Sequence, residues 1–149
     1  MNKQQQSGYW GIGIYHVKYD TNIGTLWRTA HILGASFIFT IYKRYKKQAS
    51  DTLKTTNHIP LYHYSNIQDL IVHLPIGCQL IGIESSEQAI SLSTFTHPKQ
   101  CCYLLGAEDH GLPDHIIYYC HQTVKLGGKY CFNVAVAGSI VAYHRFSSS

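Results

Sequence analysis

Nothing in this sequence is long and apolar enough to span a bilayer. Its longest mostly apolar run, FNVAVAGSIVAY (132–143), falls well short of the ~20 residues a membrane helix needs. A buried helix is expected there, and no membrane partner. No two cysteines are spaced C-x-x-C, and the five present (Cys78, Cys101, Cys102, Cys120 and Cys131) are odd in number. The start, MNKQQQSG, is polar where a secretory segment would be apolar. Reduced thiols in a cytoplasmic protein are therefore expected. There is no H-E-x-x-H, and the spacings of five that separate His110, His115 and Cys120 do not place ligands on one helix face, so no metal is expected. Charge is scarce: 13% of residues, with 8 acidic against 12 basic side chains and a net charge of +4. That excess suits an RNA or phosphate partner, but also an ordinary soluble protein. No repeat, low-complexity tract or linker interrupts the 149 residues, which predicts a single domain over 1–149.

What is present is alternation. Six β-type runs occur at 9–17, 36–42, 59–64, 79–84, 101–108 and 121–126, mostly continuous apolar stretches of the kind covered on both faces. Helical patterns fall between them at 22–33, 65–73, 86–92, 112–120 and about 132–146. Strand–helix alternation of this kind predicts an α/β layer structure, a mainly parallel sheet flanked by helices.

Several stretches carry candidate chemistry. In NIGTLWRTAHILGA (22–35), Ile23, Leu26, Ala30 and Leu33 lie within roughly 80° of one another on a helix, while Arg28 points the opposite way. In YKRYKKQASDTLKTTNH (42–58), Lys43, Arg44, Lys46 and Lys47 interleave with Tyr42 and Tyr45. Such a cluster suits a phosphate backbone with exposed bases, and equally a solvated loop. YLLGAEDHGLP (103–113) ends a strand at Gly106, places Glu108 and Asp109 next, and turns through Gly111 and Pro113 into a helix. Its acids repel phosphate but suit ribose hydroxyls or a positive charge, both of which S-adenosylmethionine carries. In GGKYCFNVAVAGSIVAYHRF (127–146), Asn133 is placed to cap a helix, and Ala135, Gly138 and Ala142 form a stripe of small residues. The stripe has no obvious partner within so short a chain, which points to a second copy. The glycines of GYWGIGIYH precede or lie within a strand, where a dinucleotide fingerprint needs them after it.

Together, NIGTLWRTAHILGA, LLGAEDHGLP and CFNVAVAGSIVAY resemble, in order, the three motifs of the SpoU/TrmH-type RNA 2′-O-methyltransferases of the SPOUT superfamily. The resemblance runs from residue 22 to 143. It implies a trefoil knot near the carboxyl end, S-adenosylmethionine as methyl donor, and a homodimer whose sites draw on both protomers. By position, Asn22, Arg28, Glu108 and Asn133 match the family's functional residues. Gly106, Glu108 and Gly111, with the backbone around Val124 to Leu126, would line the donor site. Cys131 stands there at the family's usual serine position. VKL (124–126) stands for the usual Ile-Pro-Met, and Thr21 for a common proline. The minimal length favours tRNA over rRNA as substrate, gripped by Arg28 and by Lys43, Arg44, Lys46 and Lys47.

A ribose hydroxyl must lose its proton to accept a methyl group, and a positioned base contributes ~10²–10⁴-fold. Arginine stays protonated in proteins, so Arg28 is expected to clamp phosphate and stabilise the forming alkoxide. Whether it also takes the proton stays open at this stage. Two other classes stay open as well: a non-catalytic RNA-binding relative and a small nucleotide-binding α/β protein.

Overall fold

The computed structural model describes residues 8–42, 59–106, 111–129 and 131–148. In chain order they form β1 (Tyr9–Tyr15), α1 (Asp20–Ile32), β2 (Phe37–Ile41), β3 (Leu61–Tyr64), α2 (Ile67–His73), β4 (Gln79–Ile83), β5 (Ile90–Ser91), a 3₁₀ turn (Leu92–Thr94), β6 (Gln100–Leu105), α3 (Asp114–Ile117), β7 (Gln122–Lys125) and α4 (Val134–Ser148). The seven strands make one sheet in the order β3-β2-β1-β6-β4-β7-β5, every neighbouring pair parallel. The six runs read from sequence are all strands. The helix expected at 86–92 is not: Ile90 and Ser91 pair with Val124 and Lys125 instead. Pairing at a free sheet edge overrides a short local pattern there. The helix expected at 112–120 shrinks to four residues after Pro113.

Alternation along β1 divides the core in two. Trp10, Ile12 and Ile14 face α1 and α4, while Tyr15 faces α2 and α3 with Phe37 and Phe39. A Cβ on Gly11 or Gly13 would overlap the rings of Phe37 and Phe39 respectively. Those two glycines therefore make room for aromatic packing, which is why they sit inside a strand. Trp27 Nε1 donates to the Ile59 carbonyl at 3.0 Å and ties α1 to the approach to β3.

The small-residue stripe of α4 is used inside the chain. Ala135 and Ala142 are buried, and a Cβ on Gly138 would stand 2.6 Å from Leu26 Cδ1 and 3.1 Å from Leu105 Cδ1. The stripe's partner is α1 and the sheet, not a second copy. Sequence reading missed this because the nearest contact, Leu26, is more than 100 residues away in the chain.

Near its carboxyl end α4 is held by a buried cation. Arg145 donates from Nη1 to the Pro98 carbonyl at 2.7 Å and to the Tyr103 hydroxyl at 3.0 Å, and from Nη2 to the Lys99 carbonyl at 3.1 Å. Its guanidinium also lies 5.6 Å from the centre of the Trp10 ring, a cation–π distance. The Tyr103 hydroxyl also hydrogen-bonds His97 Nδ1 at 2.6 Å, and His97 Nε2 hydrogen-bonds His144 Nδ1 at 2.7 Å, so the chain runs from Arg145 through Tyr103 and His97 to His144. Burial, then the neighbouring His144 and Arg145, push the His97 pKa down to about 4. The unfolded chain, with a histidine near 6.5, therefore binds the extra proton first. This stability is present above 6.5 and is lost as pH falls toward about 4. The urea midpoint should accordingly drop between pH values of about 7 and 5, and His97→Gln should flatten that drop. A parent midpoint that does not move over that interval would contradict the assignment.

Candidate functional site

In an open parallel sheet, the loops leaving the carboxyl ends of the strands build the site. Here β6 and β7 flank β4, so the loops after β6 and β7 face each other across the end of β4. The two ends of the β6 loop, Gly106 and Gly111, lie close together. A Cβ on Gly106 would overlap the Gly111 carbonyl and stand 2.6 Å from Leu112 N. Gly111 itself has φ +62 and nothing within 4 Å of where its Cβ would be. Past β7, Gly127 and Gly128 have φ +86 and +96, and the space beside Gly127 is likewise open. Val124 is buried, Leu126 half-buried and Cys131 exposed. Among the described residues, Gly111 and Gly127 thus leave backbone open, the surface a flat ligand needs in order to approach main-chain donors and acceptors.

Asn133 sits where the β7 loop enters α4. Its Oδ1 accepts from the backbone N–H of Ala135 at 2.9 Å and of Val136 at 3.2 Å, the capping geometry expected from sequence. With Oδ1 held at the helix end, the amide nitrogen donates to Asn22 Oδ1 at 3.1 Å. Asn22, buried on α1, is 111 residues earlier in the chain. One side chain therefore starts α4 and joins it to α1. Asn133→Ala should cost ~1 kcal/mol or more, since the cap and the bridge go together. Asn133→Ser, which can cap but not reach, should recover part of that in urea denaturation. An alanine variant as stable as the parent would remove Asn133 from this role.

Arg28 is exposed and, among the described residues, makes no ion pair. Six residues beyond Asn22, it lies roughly 9 Å further along the α1 axis at 1.5 Å per residue. The fold therefore brings Asn22 to Asn133 and Gly106 to Gly111. Glu108 lies outside the described residues, as do Lys43, Arg44, Lys46 and Lys47. Among the described residues, no group of three or more potential metal ligands stands together, and no helix is long and apolar enough to cross a membrane.

One residue passed over in the sequence also stands at this edge. Glu84 directly follows β4, its N–H donates to the Val124 carbonyl at 3.0 Å, and its carboxylate accepts from Ser86 N at 3.1 Å and from the Ser86 hydroxyl. The signal was an acidic residue at the carboxyl end of an apolar strand, QLIGIE.

Comparison with known proteins gives this geometry a context. The model of the SpoU rRNA Methylase family matches residues 11–143. The tRNA (guanosine(18)-2′-O)-methyltransferase of Escherichia coli (strain K12) is 22% identical over 128 residues, covering 82% of this chain. The chain spans only 56% of that curated relative's length. A solved chain studied for 2-OH methylation of C/U34 on tRNA superposes with a TM-score of 0.79 at 22% identity, over 96% of this chain and 99% of that one. An A. aeolicus TrmH/SpoU tRNA modifying enzyme superposes with 0.83 at 16% identity, over 97% and 80%. An AdoMet-bound rRNA methyltransferase from Sinorhizobium meliloti superposes with 0.81 at 22% identity, over 95% and 57%. At these identities the superpositions establish the fold.

Proposed function

The chain belongs to the SpoU rRNA Methylase family, and on that premise we propose that it is an S-adenosylmethionine-dependent RNA methyltransferase acting on a ribose 2′-hydroxyl. tRNA is its substrate ahead of rRNA. The observation that carries the reading is the Asn133–Asn22 hydrogen bond. It joins the first and third family-like motifs.

The two loops suit the methyl donor. Gly106 leaves no room for a Cβ on its own loop, while Gly111 and Gly127 leave open backbone facing outward. Gly106, Gly111, Glu108, Cys131 and the main chain from Val124 to Leu126 would hold the adenosyl and amino-acid parts. When bound, the sulfonium supplies an electrophilic methyl group and leaves as a neutral thioether. The protein's work is on the acceptor. Arg28 holds the RNA phosphate beside the reacting ribose, and its charge stabilises the alkoxide that forms as the hydroxyl loses its proton.

The reading includes a homodimer. An exposed apolar face supports it. Val136 and Tyr143, both exposed, lie about 20° apart around α4, on a face turned away from the stripe that packs on α1. A second protomer would pack on that face. A carboxyl-terminal trefoil knot, a single domain over 1–149 and a cytoplasmic location complete the proposal. Its test is incubation with labelled S-adenosylmethionine and either total tRNA or rRNA, followed by mapping of the label. Label on a ribose of tRNA supports the reading. Label on a base overturns the 2′-O assignment, and no transfer to either RNA overturns the activity.

A further inference from the structure

Among the described residues, eight have positive φ, and six of these are glycine. The other two, His16 (φ 58) and Tyr42 (φ 74), are ring-bearing and touch each other. Their rings lie 4.8 Å apart with a 35° tilt, and both residues are exposed. Left-handed backbone is costly for a bulky L-residue, and it persists where the surroundings over-determine it, often at binding sites. The turns themselves do not ask for these side chains. Glycine would follow the same path unstrained, and this chain uses glycine at every other such position described. The rings, rather than the turn, give these positions their identity.

Their place in the fold is specific. His16 directly follows β1 and Tyr42 directly follows β2, with His16 N–H donating to the Ile41 carbonyl at 3.0 Å and Tyr42 N–H to the Tyr64 carbonyl at 3.1 Å. Buried Tyr15 supports both from beneath, with ring centres 5.2 Å from His16 and 5.4 Å from Tyr42. In register, Ile14 pairs with Leu105, the residue before Gly106. The two rings therefore stand on the same edge of the sheet as the glycine loop, one and two strands away, or roughly 5–10 Å at the usual strand spacing. In sequence, Lys43 and Arg44 follow Tyr42 at once, and Lys18 lies two residues past His16. Exposed rings followed in sequence by basic residues are the chemistry of unpaired nucleic acid: the rings stack on bases, and basic side chains neutralise phosphates.

We propose that His16 and Tyr42 form a stacking shelf for an unpaired nucleobase of the RNA substrate, beside the site of methyl transfer. The proposal rests on the RNA methyltransferase reading and adds the residues that hold the base. A protein partner seated on the same rings is the competing occupant.

The test uses two single-stranded probes about 12 nucleotides long, an oligoadenylate and an abasic ribose-phosphate chain of equal length. The parent should bind the oligoadenylate more tightly than the abasic chain. Tyr42→Gly removes the ring together with the backbone strain, so it should fold with an unchanged or higher Tm and keep its affinity for S-adenosylmethionine. It should lose ~5–150-fold in oligoadenylate affinity, the range for one base–aromatic stack, and little for the abasic chain. Tyr42→Phe should behave as the parent, and His16→Gly should lose affinity in the same selective way. Equal losses on both probes would show that the rings do not stack on a base, and unchanged oligoadenylate binding by Tyr42→Gly and His16→Gly would leave the surface to a protein partner. Either result overturns the shelf. If those variants methylate RNA with the parent's KM, the shelf fails while the enzymatic reading stands. If the parent itself transfers no methyl group to RNA, the reading beneath both has failed.

Discussion

Arg28→Ala is expected to bind S-adenosylmethionine as the parent does while its single-turnover methylation of RNA falls by ~10² or more, the scale for loss of one transition-state electrostatic donor. The separation of effects follows from position. Arg28 is exposed on α1, roughly 9 Å along the helix from Asn22. Its removal takes nothing from the buried face formed by Ile23, Leu26, Trp27 and Ala30, so the fold and urea midpoint should hold. Arg28→Lys should recover only part of the rate, because an ammonium keeps the charge but not the planar fork that grips phosphate through two bonds. Titration calorimetry with the donor, beside rapid-quench methylation, separates the two steps. An alanine variant that loses donor affinity, or methylates at the parental rate, would return Arg28 to the surface.

Gly106→Ala should have the second large effect, on the donor side. The added Cβ meets main chain, the Gly111 carbonyl and Leu112 N, rather than the yielding tip of a side chain. The loop must open to admit it, at ~1–3 kcal/mol, the usual scale of overpacking. Donor affinity should fall by tenfold or more as the loop leaves its geometry. Gly111→Ala provides the contrast. Its Cβ would meet nothing within 4 Å, so only the φ of +62 is strained, at roughly 1–2 kcal/mol. If Gly106→Ala binds donor as well as Gly111→Ala does, the self-contact of the loop is not what shapes the site.

Asn22 and Asn133 show how far the sequence could be read. Each was singled out by its motif, and the capping role of Asn133 was legible because a cap depends only on the next three residues. Their hydrogen bond was not legible, because it spans 111 residues. Likewise the alternation of apolar runs with helical patterns was enough for a parallel α/β sheet, since covering both faces of each strand leaves few other arrangements.

By itself, then, the sequence determined the periodic elements, the glycines that punctuate the candidate donor loops and the asparagine that starts α4. These are local properties, fixed by residues within a turn or two of one another. Tertiary structure decided what those elements touch. It made a strand of Ile90–Ser91 by offering β7 as an edge, and turned the Ala135, Gly138, Ala142 stripe inward by placing α1 against it. It also brought His16 and Tyr42 together from the ends of two adjacent strands. Periodicity says which face of an element is apolar. Only closure of the chain supplies the surface that the face meets.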